Sequence, residues 1–116
     1  MAGLKNLSSK EIERVLRSGR RYRGRALLIF VKQADPDQPG RRAFIAPKRL
    51  GSAVLRNRCK RLMRAGFNQA QSAGCSSIYD YNDIILMATN RTCQQSSVDI
   101  SEEIRQVFAK VADDAN

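Results

Sequence analysis

The chain has 116 residues, of which 42% are hydrophobic and 28% charged, and its formal net charge is +10 at pH 7. This length fits one domain with its own core, and the ordinary hydrophobic content excludes bulk disorder. The longest apolar run, residues 26–31, has the length of a strand and is far from the roughly 18 residues that a membrane span requires. We therefore expect a single domain over residues 1–116, with frayed ends at 1–6 and 112–116.

The first residues and the cysteines indicate where the protein acts. The opening segment, MAGLKNLSSKE, lacks the apolar core of a signal peptide, so we expect a cytoplasmic protein. Cys59, Cys75 and Cys93 are odd in number, form no CxxC pair and have no histidine beside them. This pattern favours reduced thiols over disulfides or a zinc site.

A short amphipathic helix is the first predicted element. Ser8 and Glu11 have the three-residue spacing of a capping box. Ile12 and Leu16 lie one turn apart on the same face, and Gly19 provides a stop. The pattern predicts a helix that packs one face against the rest of the domain.

Apolar runs beyond this helix predict three strands. After the basic residues 20–25, the run ALLIFV at 26–31 predicts a buried strand, and DPDQPG at 35–40 predicts a turn. Residues 42–46 predict a second strand that pairs back on the first as a hairpin. The run DIILMA at 83–88 predicts a further buried strand.

Two longer helices complete the predicted fold. The first should run from about residue 53 to about residue 71. The second has apolar residues at offsets 0, 4, 7, 8 and 11, which form one inward face. The order α-β-β-(β)-α-β-α predicts an α+β fold, a single compact domain with a small central sheet of about four strands covered by helices. The inward face of the last helix consists of Ile100, Ile104, Val107, Phe108 and Val111.

The helix near residue 53 is strongly basic. Residues 1–64 hold 18 Lys and Arg against 4 Asp and Glu, a net charge of +14, whereas residues 65–116 hold 3 against 7, a net charge of −4. Like charges one turn apart, as in Arg56, Lys60 and Arg64, destabilise a helix by roughly 0.2–0.5 kcal/mol per pair. An outside polyanion is therefore expected to neutralise them. Because the planar arginine fork grips phosphate and stacks on bases, structured RNA is favoured over a membrane surface.

A helical projection divides this helix into two sides at 100° per residue. The apolar side is expected to dock on the sheet, and the basic side is expected to face solvent, with Arg58 at its border. The apolar side consists of Leu55, Cys59, Leu62, Met63 and Gly66. The basic side consists of Arg56, Asn57, Lys60, Arg61 and Arg64.

The segment PKRLGSAVLRNRCKRLMRAGF, residues 47–67, resembles the signature of the bacterial ribonuclease P protein subunit family. It matches the pattern K(K/R)xGxAVxRNRxKRxxR, with Arg56, Asn57 and Arg58 as the RNR core. The surrounding order of elements agrees with that family over nearly the whole chain. The resemblance implies a ribosomal-protein-S5-domain-2-like fold with a left-handed βαβ crossover through the basic helix.

The resemblance also implies a function. Proteins of this family bind the ribonuclease P RNA subunit and the 5′ leader of precursor tRNA, and the ribonucleoprotein is the endonuclease that removes the leader. The RNA carries out the hydrolysis with Mg²⁺, so we expect no catalytic residue, metal or cofactor on the protein itself. The absence of histidine agrees with this expectation. The residues expected to bind RNA are Lys48, Arg49, Arg56, Asn57, Arg58, Lys60, Arg61 and Arg64.

By the same resemblance, the leader would lie in a cleft between the sheet and the first helix. The positions that correspond are Ile12, Leu16 and Phe30. The family commonly has aromatic residues on the first helix, so Ile12 and Leu16 imply apolar contact in place of stacking. Phe30 either stacks on the leader or packs in the core. Gly51 corresponds to a structural turn glycine ahead of the basic helix.

Three other interpretations stay open on the residues alone. A ribosomal or translation-factor-like domain would use the same architecture to bind another structured RNA. A DNA-binding protein would place the basic helix in a major groove, but arginine at nearly every exposed position suits backbone contact better than base reading. A nuclease in its own right would need a general base or a metal cage. We expect neither a DNA partner nor a membrane partner.

Overall fold

Three helices and a five-stranded sheet are formed by residues 5–72 and 80–114, the part of the chain that the computed structural model describes. This architecture confirms the predicted α+β class. Short 3-10 turns at Lys48–Leu50 and Thr92–Gln94 precede the second and third helices. The elements are β1 Lys5–Asn6, α1 Ser9–Ser18, β2 Arg20–Arg23, β3 Leu27–Gln33, β4 Arg41–Ile45, α2 Ala53–Ser72, β5 Asn82–Ala88 and α3 Ser97–Asp114.

The helices begin and end close to the predicted residues. Ser8 caps α1 with both capping-box hydrogen bonds: its backbone N–H donates to Glu11 Oε1 at 2.8 Å, and the Glu11 N–H donates to Ser8 Oγ at 3.4 Å. The apolar row predicted for α3 is buried throughout. Within the ends that were expected to fray, residues 5–6 form β1, which pairs with β4, and residues 112–114 continue α3.

The strand order in the sheet is β1-β4-β5-β3-β2. β3 runs antiparallel to β2 and β5, whereas β4 runs parallel to β1 and β5. The predicted hairpin of β3 with β4 is therefore wrong. β5 lies between them because its side chains are buried on both faces of the sheet over most of its length, as suits a central strand. The β4-α2-β5 connection joins two parallel neighbours, and its left-handed course stays a prediction from the resemblance.

The sheet separates two apolar clusters. One face is covered by α2 and α3, and its core includes Ile29, Met63, Phe67, Ile104 and Phe108. The other face is covered by α1 and holds a smaller cluster. That cluster has buried residues Leu7, Val15, Phe30, Ala43 and Ile85.

The buried side of α2 is rotated relative to the prediction. Leu55 is 36% exposed and Leu62 is partly exposed, so neither is a core residue. The helix packs most extensively on α3, and less on the sheet. Gly66 permits this close packing, because a Cβ there would lie 2.5 Å from Ile100 Cγ2. The buried residues of α2 are Cys59, Met63, Gly66, Phe67 and Ala70.

Candidate RNA-binding surface

A tight turn sets the start of the basic helix. After the 3-10 turn Lys48–Leu50, Gly51 adopts φ 134° and ψ −145°, a conformation that side chains with a Cβ rarely take. Gly51 donates its N–H to the Lys48 carbonyl oxygen at 3.2 Å. The Ser52 hydroxyl oxygen then accepts a hydrogen bond from the Leu55 N–H at 3.2 Å, which caps the first turn of α2. The turn and the cap therefore fix where α2 leaves the sheet.

The predicted RNA-binding residues lie along this turn and the first twelve residues of α2. Two of them, Arg56 and Lys60, are partly buried. Among the described residues, none of the cations in this set forms an ion pair with a carboxylate. We call this set the α2 cation surface. Its exposed members are Lys48, Arg49, Asn57, Arg58, Arg61 and Arg64.

Arg56 has a structural contact as well as a place on this surface. Its Nε donates to the carbonyl oxygen of Ala46 at 3.0 Å. Since Ala46 follows the last residue of β4, this bond holds the start of α2 against the end of the sheet. Arg56 therefore presents part of its guanidinium from a fixed position, whereas Arg58 and Arg61 extend into solvent.

Sequence reasoning missed one arginine beside this surface. Arg42 lies on β4 and faces the aromatic side chains of Phe44 and Phe67. Its two-residue spacing from Phe44 places both side chains on one face of the strand. The position of Phe67, however, depends on the packing of α2, which local sequence patterns do not give.

On the opposite face of the sheet, α1 is held by a paired arginine. The Arg41 guanidinium forms ion pairs with Glu11 on α1 and with Asp83 on β5, the latter at 3.2 Å. The Arg41 side chain is 16% exposed and that of Asp83 is 8% exposed. Because Glu11 also caps α1, one carboxylate both starts the helix and anchors it to the sheet.

Next to α1, an apolar strip remains partly exposed on this face. Leu28, Met87 and Ile45 lie side by side on β3, β5 and β4. We call these three residues the apolar strip; no local sequence pattern indicated that they would lie together. Arg23 pairs with Leu28 across the edge of the sheet and is exposed, so a cation borders the strip.

The three predicted cleft residues lie on the same face but differ in exposure. Ile12 and Leu16 are partly exposed on α1 and pack on the small cluster. Phe30 is only 8% exposed, because it lies within that cluster together with Val15 and Ile85. Of the two interpretations for Phe30, the structure supports core packing. Contact of Phe30 with the leader stays a prediction.

Acidic and cysteine side chains are scattered over the described part of the chain. No group of three or more His, Cys, Asp or Glu residues there is arranged to hold a metal ion. Cys59 and Cys93 are free thiols, and Cys75 lies outside the described residues. Burial, together with the neighbouring Cys93, raises the pKa of Cys59 to about 11, so this thiol stays protonated at neutral pH. No described helix is both long and apolar enough to cross a bilayer.

The fold and the α2 cation surface define an α+β nucleic-acid-binding domain. Comparison with known proteins identifies its family, because the model of the ribonuclease P family matches residues 4–112. The chain is 33% identical over 102 residues to the ribonuclease P protein component of Syntrophobacter fumaroxidans, which covers 87% of this chain and 82% of that protein. The chain belongs to the ribonuclease P protein family.

Two further similarities agree with this family. The ribonuclease P protein component of Acidothermus cellulolyticus is 40% identical over 57 residues, so the chain spans about half (48%) of that relative. The solved structure of the Staphylococcus aureus RNase P protein superposes with a TM-score of 0.71 over 96% of both chains, at 22% identity. The structural similarity confirms the fold.

Proposed function

We propose that the chain is the RNA-binding protein subunit of ribonuclease P, which assists the catalytic RNA in removing the 5′ leader of precursor tRNA. The observation that carries this proposal is the α2 cation surface, an exposed basic helix without acidic partners among the described residues of a ribonuclease P family member. A ribosomal or DNA-binding role has no comparable support.

The α2 cation surface suits the phosphate backbone of a folded RNA. Each neutralised phosphate releases condensed counterions, so affinity falls steeply with salt. Arg58 and Arg61 are exposed and pair with no carboxylate of the described residues, so their guanidinium groups are available for bidentate contact. Arg56, held by the Ala46 carbonyl, loses less side-chain entropy when it binds.

The α1 face is the proposed site for the precursor leader. The apolar strip with Ile12 and Leu16 offers contact to sugar and base faces, and Arg23 at its border offers contact to phosphate. Aromatic stacking on single-stranded bases contributes about 1–3 kcal/mol per base. Because the aliphatic Ile12 and Leu16 replace stacking residues, we expect the leader to add less affinity here than in relatives with aromatic residues on α1.

Hydrolysis in the proposed complex is assigned to the RNA subunit, which would bind the Mg²⁺ ions. The protein's contribution is to bind the RNA and to position the substrate, an effect on affinity and geometry. We propose the cytoplasm as the site of action.

Single-turnover cleavage of a precursor tRNA tests this function. The ribonuclease P RNA subunit is assayed at low magnesium with the protein, without it, and with the protein alone as a control. We expect cleavage at the mature 5′ end when both components are present, and none from the protein alone. RNA binding without any gain in cleavage would reduce the function to another RNA-binding role.

A further inference from the structure

Arg42 is a partly buried cation that no carboxylate neutralises in the described part of the chain. Its guanidinium carbon lies 5.6 Å from the ring centroid of Phe44 and 5.4 Å from that of Phe67. The two rings meet edge to face, 5.6 Å apart at 84°. The aromatic pair therefore holds the guanidinium in place and leaves its charge unpaired.

The hydrogen bonds of Arg42 are also incomplete. One terminal nitrogen, Nη1, donates to Asn68 Oδ1 on α2 at 3.4 Å. The Nε of Arg42 is buried and has no hydrogen-bond partner among the residues that the structure describes. A buried donor without an acceptor is unfavourable, so the described fold leaves the hydrogen bonding of this guanidinium incomplete.

A second guanidinium lies at the same ring. The guanidinium carbon of Arg64 is 5.4 Å from the Phe44 centroid, and Arg64 belongs to the exposed α2 cation surface. Burial, with the charge of Arg64 as the second cause, lowers the pKa of Arg42. Two like charges at one aromatic ring repel each other, and an anion bound between them relieves this repulsion.

We propose that Arg42 and Arg64, with Asn68, form a phosphate-binding subsite that takes one phosphodiester of the ribonuclease P RNA subunit. This inference rests on the proposed function, because it extends the α2 cation surface onto β4. A phosphodiester matches the site: its oxygens accept from planar guanidinium forks, and its single negative charge relieves the repulsion between Arg42 and Arg64. The aromatic pair keeps Arg42 pre-organised for this contact.

Binding of the RNA subunit to Arg42→Gln, measured over a series of salt concentrations, tests the subsite. Loss of one phosphate contact should weaken binding about three- to tenfold and reduce the slope of log affinity against log salt by about one. The control is Arg105→Gln, which removes the same charge from an exposed position on α3 and should change neither value.

Arg64→Gln keeps the test valid if Arg42→Gln folds poorly, because Arg64 is exposed. It should give a similar loss of affinity. If both arginines bind one phosphate, the double variant should lose less than the product of the two single losses, since neighbouring groups that share a partner are not additive. A multiplicative loss would show two separate contacts and would overturn the shared subsite.

The Arg42 side-chain Nε–H resonance gives a direct readout with inorganic phosphate as the probe. We expect the Arg42 and Arg64 signals to shift on titration and the Arg105 signal to stay constant.

If the wild type binds the RNA subunit but Arg42→Gln behaves like Arg105→Gln, the subsite is wrong and the proposed function stands. If the wild type does not bind that RNA, both fall. An effect seen only with precursor tRNA would overturn the assignment to the RNA subunit.

Discussion

The two faces of the sheet hold their arginines in opposite ways. On the α1 face, Arg41 is mostly buried between Glu11 and Asp83, so its charge is used within the fold. On the α2 face, Arg58 and Arg61 are exposed and unpaired, and Arg42 is partly buried without an acid in the described chain. The same residue type is thus structural where a carboxylate lies beside it and available to a ligand where none does.

Adjacent positions on α2 give the largest expected effect and test the orientation of the basic helix. Met63 is fully buried, so Met63→Asp would place an unpaired charge in the core and should cost more than about 4 kcal/mol, enough to unfold a marginal domain. Leu62→Asp, next along the helix but partly exposed, should cost less than about 1 kcal/mol. Thermal melting distinguishes them, and equal destabilisation would show that the assigned buried side is wrong.

Removing the ion pairs of Arg41 should have the next largest effect on stability. Arg41→Met leaves the carboxylate of Asp83 buried without its cation, and we expect a loss of about 3–5 kcal/mol in the free energy of unfolding. The double variant Arg41→Met with Asp83→Leu should regain part of that loss, because it removes the buried charge of Asp83 and leaves only the more exposed Glu11 without its cation. Urea titration measures both variants. A double variant no more stable than the single one would contradict this explanation.

An aromatic residue on α1 tests whether the α1 face binds the leader. Leu16→Phe adds a stacking surface beside the apolar strip and should raise the affinity for precursor tRNA about fivefold, or roughly 1 kcal/mol. The control is a tRNA without its leader, whose affinity should not change. Equal gains for both RNAs would place the new contact outside the leader.

The smallest expected effect comes from a second buried carboxylate, Glu103 on α3. Its Oε1 accepts from the Ala26 N–H at 2.8 Å, whereas its buried Oε2 has no hydrogen-bond partner within the described chain. Burial raises the pKa of Glu103 above its usual 4.5, so the folded state binds more protons and stability falls as pH rises above 4.5. Glu103→Gln should therefore flatten this pH dependence and stabilise the domain at pH 7. If Glu103→Gln and the wild type have the same unfolding curves from pH 4 to 8, the buried charge of Glu103 does not cause this pH dependence.

Much of the fold could be predicted because its signals are local. The capping box at Ser8 fixed the start of α1, and the apolar spacing of α3 gave its buried face. β2 was missed because the sequence RRYR, at the edge of the sheet, has no apolar alternation. The hairpin was wrong because the insertion of β5 between β3 and β4 depends on long-range pairing.

In the candidate site, too, features with a local sequence signal could be predicted and features set by long-range packing could not. The place of the RNR residues on one helix could be predicted because their spacing carries the resemblance, whereas their contact with RNA stays a prediction. The burial of Phe30 and the proximity of Arg42 to Phe67 depend on how helices pack on the sheet. The exposure of Leu55 and Leu62 has the same cause, since α2 packs chiefly on α3.

The most direct test of the central claim compares two double variants of equal charge. Arg58→Gln with Arg61→Gln removes two cations from the α2 cation surface, and Arg14→Gln with Arg17→Gln removes two exposed cations from α1. Affinity for the ribonuclease P RNA subunit is measured over a salt series. We predict that the first pair lowers the log–log salt slope by about two and weakens binding at least about tenfold, with little change from the second. Equal losses for both pairs would contradict the account, because binding would then follow net charge and not the α2 surface.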